Sequence, residues 1–151
     1  YEDNGSATDK LRTYYYQGRI FQNKGNDALA MESFVNAIEE GENSNDILTT
    51  ARTYFAQSKI YYSLYEWDSF IESNKSAANL FQEAGVLNSY ANCLIRIING
   101  YTLKEDPENA LLYIEECKRF LNTISSSRLG DFYSSYLTYL IKYGEEQEII
   151  K

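Results

Sequence analysis

A period of about 40 residues runs through the chain and limits the folds that it can adopt. Shifting the sequence by one or two periods superposes large apolar residues on each other, and small residues on each other. The superposed sets are Tyr14, Tyr54 and Leu94; Phe21, Tyr61 and Tyr101; and Ala37, Ala77 and Cys117. A fixed period between about 20 and 50 residues is typical of stacked helical units, because a single unit cannot bury its apolar face alone.

Each period contains two segments in which apolar residues recur at helical spacing, separated by short polar breaks. The pattern predicts seven helices, at about 9–24, 27–40, 46–64, 66–83, 87–103, 107–121 and 129–143, and the start of an eighth before Lys151. Pro107 suits the first turn of a helix, and Gly85 and Gly144 follow helical segments, where glycine commonly ends a helix. Because the chain has only one proline and eight glycines, an all-β fold with its frequent turns is excluded.

The chain of 151 residues is therefore predicted to be one all-α domain of stacked antiparallel helical hairpins. Its repeats occupy about 9–44, 45–86 and 87–126, with a partial repeat at 127–151. Because the chain begins with Tyr1 and its last hairpin is incomplete, we expect it to be a fragment of a longer protein. The seventh helix would then expose Tyr136, Tyr139, Leu140 and Tyr143, and copies could self-associate through this C-terminal helix.

The first repeat resembles the tetratricopeptide repeat (TPR) family in its order of aromatic, small and turn-forming residues. The matching residues are Tyr14, Gly18, Phe21, Gly25, Ala30, Phe34 and Ala37. The third repeat keeps Leu94, Tyr101, Ala110, Ile114 and Cys117, and the second matches less closely. The resemblance implies a right-handed α-solenoid whose first helices line a concave face. The period of 40, against about 34 in the family, implies extended second helices, as in a long-period bacterial variant.

A metal site and a cofactor are both disfavoured by the residues present. Histidine, the commonest zinc ligand and general base, is absent from the chain. Cys93 and Cys117 form no CxxC motif and occupy apolar positions of predicted helices, where cysteine behaves as a small hydrophobic residue. We expect two buried thiols, with a disulfide between them as the alternative, and no metal or cofactor.

Enzymatic activity is not expected either. No phosphate-binding glycine loop, GxSxG or HExxH motif is present. Neighbouring carboxylates, such as Glu39 with Glu40 and Glu115 with Glu116, fall on polar helix faces, where carboxylates are normally just solvated, whereas a catalytic acid needs burial.

Charge is distributed unevenly between the two helices of each hairpin. The first helices, at 11–24, 50–64 and 90–103, carry six basic residues and no aspartate or glutamate, whereas the second helices carry fourteen acidic residues against three basic ones. The net charge of −8 makes nucleic acid an improbable partner. The sequence contains no apolar run long enough to span a membrane, so we expect no membrane contact within this segment.

The TPR resemblance places the basic first helices on the inside of the stack, and it thereby names candidate binding residues. Those that would point into the groove are Arg12, Tyr15, Arg19, Gln22, Arg52, Phe55, Lys59, Tyr62, Asn92, Arg96 and Asn99. Cations, aromatic rings and amides together suit an extended or helical acidic peptide. The alternative is that the arginines only stack on neighbouring tyrosines and keep the groove soluble.

Three functional hypotheses remain open from the sequence. The first is a protein–protein or protein–peptide interaction module, an adaptor or scaffold that binds an acidic partner segment. The second is the sensory or input domain of a larger bacterial regulator of signal transduction or transcription, since long-period repeats rich in tyrosine and asparagine resemble the sensory halves of such proteins. End-to-end assembly of copies is a third hypothesis. Two cysteines do not distinguish a cytoplasmic from a periplasmic location.

Overall fold

The structure, a computed structural model, describes residues 2–144, with side chains described from Gly5 onward. Most of these residues lie in seven α-helices, and no β-strand occurs among them, so the predicted all-α fold is confirmed. The helices are α1 (Glu2–Asn23), α2 (Asp27–Gly41), α3 (Ile47–Ser63), α4 (Trp67–Glu83), α5 (Leu87–Leu103), α6 (Pro107–Lys118) and α7 (Ser126–Tyr143). No helix within residues 2–144 has both the length and the apolar character that crossing a membrane requires.

The turns that connect the two helices of each of the three hairpins have the same backbone conformation. Gly25, Tyr65 and Glu105, each one period after the last, have positive φ angles of 75°, 59° and 62°. After each of them, the next residue donates a backbone hydrogen bond of 2.9 or 3.0 Å to the last turn of the preceding helix. This left-handed closure reverses the chain within a short turn and sets the paired helices antiparallel. Only Gly25 adopts the conformation without the strain that a side chain adds.

The helix pairs stack in chain order as a helical repeat. α1 packs against α2, α3 against α4 and α5 against α6, while α2 contacts α3 and α4 packs extensively against α5. The second helices begin at Asp27, Trp67 and Pro107, again at intervals of one period. They have 15, 17 and 12 residues, against 17 for both α3 and α5, so the second helices are not longer than these first helices. The superhelical hand stays a prediction.

Small residues allow the helices to approach closely. Ala30, Ala37 and Ala77 are completely buried. A Cβ atom added to Gly18 of α1 would lie 2.5 Å from the ring of Phe34 on α2, so no larger residue fits there without displacing the ring. The register assigned to these positions from the sequence therefore agrees with the packing.

Three helix boundaries differ from the predicted ones by three residues or more, one of them the start of α7 at Ser126 rather than near residue 129. α1 begins at Glu2 rather than near residue 9, and its early turns are held by the buried Ala7 and by a 2.7 Å hydrogen bond between the hydroxyls of Thr8 and Ser44. α6 ends at Lys118 rather than near residue 121. The segment that follows is anchored to the start of α5, because the Ser125 N–H donates a 2.8 Å hydrogen bond to the Asn88 side chain. The expected eighth helix lies outside the described residues.

The face that α7 exposes is not the predicted one. Leu140 is buried, Tyr136 stacks on Phe132 at 5.8 Å between ring centroids, and the Tyr143 hydroxyl donates to the carbonyl of Thr102 on α5. These residues face α5 and α6, because α7 packs against both helices with that side. The exposed apolar residues of α7 are Tyr133, Leu137 and Ile141.

Both cysteines are buried, free thiols, as predicted. Burial raises the pKa of Cys93 and of Cys117 to about 12 in each case, since the thiolate is poorly solvated in an apolar core. Cys93 lies on α5 and Cys117 on α6, in the same hydrophobic cluster. Their role is packing.

Candidate functional site

Three cavities lie side by side along the first helices, and all three are lined in part by Lys59. We call them together the groove. Ten of the eleven residues named from the sequence line it, so the structure brings most of the predicted set together. The exception is Arg12.

The basic cavity, of about 240 Å³, lies between α1, α3 and the start of α5. It is lined by Tyr15, Arg19, Arg52, Phe55, Ala56, Lys59, Phe81, Ser89 and Asn92. Three of these residues are cationic, and no carboxylate belongs to the lining among the described residues.

The aromatic cavity, of about 260 Å³, adjoins the basic cavity at Lys59. Its other lining residues are Tyr62, Phe70, Arg96 and Asn99. The Tyr62 ring is half exposed and packs at 5.3 Å from the ring of Phe70, which leaves a flat apolar surface beside two cations and an amide. Such a surface can cover an apolar side chain while the Asn99 amide pairs with a backbone.

The end cavity, of about 300 Å³, is lined by Arg19 and Gln22 of α1, together with Lys59 and the acidic Asp27. The Gln22 side-chain amide donates a 3.0 Å hydrogen bond to the carbonyl of Ala56 and so joins α1 to α3. Gln22 therefore lines the groove, but its side-chain amide already donates a hydrogen bond that holds α1 against α3.

Arg12 lies outside these cavities. Its Nε is 2.7 Å from Oδ2 of Asp46, the residue that caps the N-terminus of α3 through a hydrogen bond from the Thr49 N–H. The sequence places Arg12 one period before Arg52, yet only Arg12 comes within reach of a carboxylate. We therefore correct its assignment from binding residue to a link between α1 and α3.

The remaining cations of the groove lack carboxylate partners. The ion pairs formed among residues 5–144 engage Arg12, Lys75, Lys104, Lys118, Arg119, Arg128 and Lys142. None of them includes Arg19, Arg52, Lys59 or Arg96. Some acidic residues of the second helices pair within their own helix instead, as Glu72 does with Lys75 and Glu115 with Lys118, while Asp68 pairs with Lys104.

The aromatic ring of Phe55 contacts two of these cations. The Arg96 guanidinium carbon lies 3.9 Å from the centre of the Phe55 ring, and Nη1 of Arg96 donates to the Ser58 hydroxyl at 3.1 Å. Lys59 Nζ lies 5.7 Å from the centre of the same ring. Cation–π contacts of this kind orient a charge without neutralising it.

Arg19 is oriented differently. Its Nη1 donates to the Tyr15 hydroxyl at 3.1 Å, and its guanidinium lies 6.0 Å from the centre of the Tyr15 ring. The Nε–H of Arg19 is buried and has no hydrogen-bond partner. Stacking of arginine on tyrosine, the alternative considered from the sequence, is thus present, but it leaves this donor unsatisfied.

The cations of the groove repel one another. Burial lowers the pKa of Lys59, and the positive charges of Arg96 and Arg19 lower it further. Burial also lowers the pKa of Arg96, with a contribution from the charge of Arg128. An anion in the groove would relieve this repulsion, because it would lie among like charges that have no internal counter-ion.

Several lining residues were not anticipated from the sequence. Phe70 and Phe81 come from α4, a second helix, and Ser89 supplies a hydroxyl; Ser58, which is completely buried and lines none of the three cavities, accepts the hydrogen bond from Arg96. The phenylalanines carried only the signal of core residues. Their contribution depends on how α4 lies beside α3 and α5, which a single-helix pattern does not contain.

Comparison with family models, curated proteins and solved structures gave no match for this chain.

Proposed function

We propose that this protein is a protein–peptide interaction module that binds an acidic segment of a partner in the groove. One observation carries the proposal: Arg19, Arg52, Lys59 and Arg96, from three different helices, line adjoining cavities and form no ion pair with a carboxylate among residues 5–144. Unpaired cations beside a net charge of −8 are an unusual arrangement unless an external anion completes it.

The groove supplies each part that such a segment needs. The cations steer an acidic chain to the groove and pair with its carboxylates. The amides of Asn92 and Asn99 suit the peptide backbone, and the exposed face of Tyr62 suits an apolar side chain. The acidic second helices repel a polyanion that approaches elsewhere.

The proposal includes the TPR-like assignment. Repeated antiparallel hairpins, the same turn geometry in every period and the close contact at Gly18 support it. Stacked repeats form extended binding surfaces because each repeat contributes the same helix to the same side.

A peptide-display selection on the 151-residue chain tests the proposal. We expect the selected peptides to be rich in aspartate and glutamate and to lose at least about tenfold in affinity, equivalent to about 1.4 kcal/mol, against Arg19→Glu with Lys59→Glu. Raising the salt concentration from about 0.05 to about 0.5 M should weaken binding in the same direction.

A charge-matched control separates the groove from net charge. Lys10→Glu with Arg119→Glu changes the net charge equally on exposed residues outside the groove, and it should leave binding within about twofold. Circular dichroism should show unchanged helicity in both double variants. Selected peptides that bind the groove variant as well as the parent would refute the proposal.

A further inference from the structure

The basic cavity contains more positive charge than one carboxylate can neutralise. Arg19, Arg52 and Lys59 line it together with the polar side chains of Ser89 and Asn92. Its volume of about 240 Å³ is several times the ~30 Å³ that a water molecule occupies in the liquid, so a tetrahedral anion fits with water around it.

We propose that the group seated in the basic cavity is the phosphate of a phosphorylated serine or threonine in the partner segment. The inference rests on the proposed function and specifies its ligand. A carboxylate carries one negative charge and two oxygens, whereas a phosphomonoester carries close to two charges at neutral pH and three acceptor oxygens. Three cations from two helices match the second ligand better.

The donors of the cavity also favour a phosphate. The bond from Nη1 of Arg19 to the Tyr15 hydroxyl orients the guanidinium, and the adjacent Nε–H has no partner. A tetrahedral anion offers oxygens in several directions, so one oxygen can approach Arg19 while others reach Lys59 and the Asn92 amide. A carboxylate offers only two oxygens to the same three groups.

The surroundings of the cavity favour a protein-borne phosphate over a lipid or nucleic acid. The cavity is bounded by α1, α3 and the start of α5, and the Phe81 side chain of α4 also lines it. The net charge of −8 and the acidic second helices repel an extended anionic surface or polyanion. A single phosphorylated side chain on a flexible segment avoids that repulsion.

Titrations of the 151-residue chain, followed by nuclear magnetic resonance, test the inference with three blocked amino acids. The probes are N-acetyl, N-methylamide forms of phosphoserine, glutamate and serine. We expect phosphoserine to cause saturable shifts at Arg19, Lys59 and Asn92, glutamate to bind at least about tenfold more weakly, and serine to cause no shift.

Substitutions locate the binding. Lys59→Gln and Arg19→Gln should each reduce phosphoserine affinity by at least about fivefold, and Arg19→Lys should restore part of it, because lysine keeps the charge without the planar guanidinium. Lys10→Gln, outside the cavity, should change nothing. Unchanged phosphoserine binding by Lys59→Gln would overturn the inference.

Other outcomes separate this inference from the proposed function. If blocked glutamate binds as well as phosphoserine, or if display-selected acidic peptides bind but phosphoserine does not compete with them, the phosphate inference is wrong and the proposed function stands. If inorganic phosphate competes better than phosphoserine, or anionic phospholipid vesicles bind through Lys59, a different phosphate source is shown and the inference fails. If neither selected peptides nor phosphoserine bind, both proposals fail.

Discussion

The two junctions that connect successive hairpins are built differently. The first junction joins the hairpin of α1 and α2 to α3, and the second joins α4 to α5. Five of the eight buried residues on α3 are polar, whereas the ten on α5 include only Thr102 as a buried polar residue. α3 and α5, which are the first helices of successive hairpins, therefore bury side chains of different polarity.

The first junction relies on hydrogen bonds. Arg12 pairs with Asp46, and Gln22 donates to the carbonyl of Ala56. The side-chain amide of Gln57, which is buried, donates to the Met31 sulfur at 3.4 Å. Each such bond adds only about 1 kcal/mol net, because water would satisfy the same groups in the unfolded chain.

The second junction relies on apolar contact. Cys93, Leu94, Ile97 and Ile98 of α5 are buried in one cluster with residues of α3, α4, α6 and α7. A Cβ atom added to Gly100 would lie 2.6 Å from the Ile71 side chain, so α4 and α5 approach closely there. The first hairpin belongs to a separate, smaller cluster, to which α3 contributes only Ala56 and Ile60.

The difference follows from the groove. α1 and α3 carry three of the four cations that line it, whereas α5 carries only Arg96, and charged side chains leave less apolar surface to bury on the same helices. α5 retains the apolar core that anchors the stack. The comparison indicates that stability is concentrated around α5 and that the groove lies at the less apolar junction.

The largest expected effect comes from truncating to alanine the residues that occupy one repeat position in the two helices, Gln57 of α3 and Ile97 of α5. Ile97→Ala should lower the free energy of unfolding by about 3 kcal/mol, because it leaves a cavity in the apolar cluster. Gln57→Ala should lower it by about 1 kcal/mol, since only weak hydrogen bonds to Met31 and Ser73 are lost. Urea denaturation measures both, and equal losses would contradict the comparison.

An intermediate effect is expected from a substitution that overpacks the contact between α1 and α2. Gly18→Ala should cost about 1–3 kcal/mol, because its Cβ atom would overlap the Phe34 ring. If the first junction is the weaker one, amide hydrogen exchange should show the lost protection mainly in α1 and α2.

Gly5→Ala is the matched control in the same helix. Apart from its chain neighbours and the nearby helix backbone, no atom of the described residues lies within 4 Å of the position that an added methyl group would occupy at Gly5, so the better helix propensity of alanine should leave stability unchanged or slightly raised. Equal loss of protection across all seven helices in Gly18→Ala would show one cooperative unit instead of two unequal junctions.

The smallest effect concerns Asp46, which supports the first junction. Burial by itself raises the pKa of Asp46, but hydrogen bonds from the backbone and hydroxyl of Thr49 and from Arg12 outweigh it, so the pKa lies below 3.8. The carboxylate therefore stabilises the fold fully above pH 3.8, and this stabilisation is lost as the pH falls through the lower folded-state pKa. Asp46→Ala should cost about 1 kcal/mol at neutral pH through the lost cap.

Asp46→Asn separates the cap from the charge. Asparagine also caps helices well, so this variant should retain most of the stability at neutral pH but lose the part of the acid dependence that Asp46 contributes. Unfolding curves between about pH 6 and pH 3 compare the variant with the parent. An identical dependence on pH in both proteins would show that Asp46 does not stabilise the first junction through its charge.

The helical content was predictable from the sequence, because it depends on the spacing of residues within one helix. The apolar period placed Ala37 and Gly18 in tight contacts. Most of the candidate site was predicted through the TPR resemblance, which puts the first helices with Arg19, Arg52 and Lys59 on one side. Local patterns of this kind persist in the folded chain because each helix must bury one face.

The tertiary structure alone decided which groups meet across helices. Arg12 and Arg52 occupy equivalent positions, yet Arg12 meets Asp46 and Arg52 lines the basic cavity. α7 turns Tyr136 towards its neighbours, and α4 adds Phe81 to the groove. Periodicity describes one helix at a time, whereas ion pairs, cavities and exposed faces depend on how neighbouring helices lie against each other, and contacts between residues distant in the chain determine that placement.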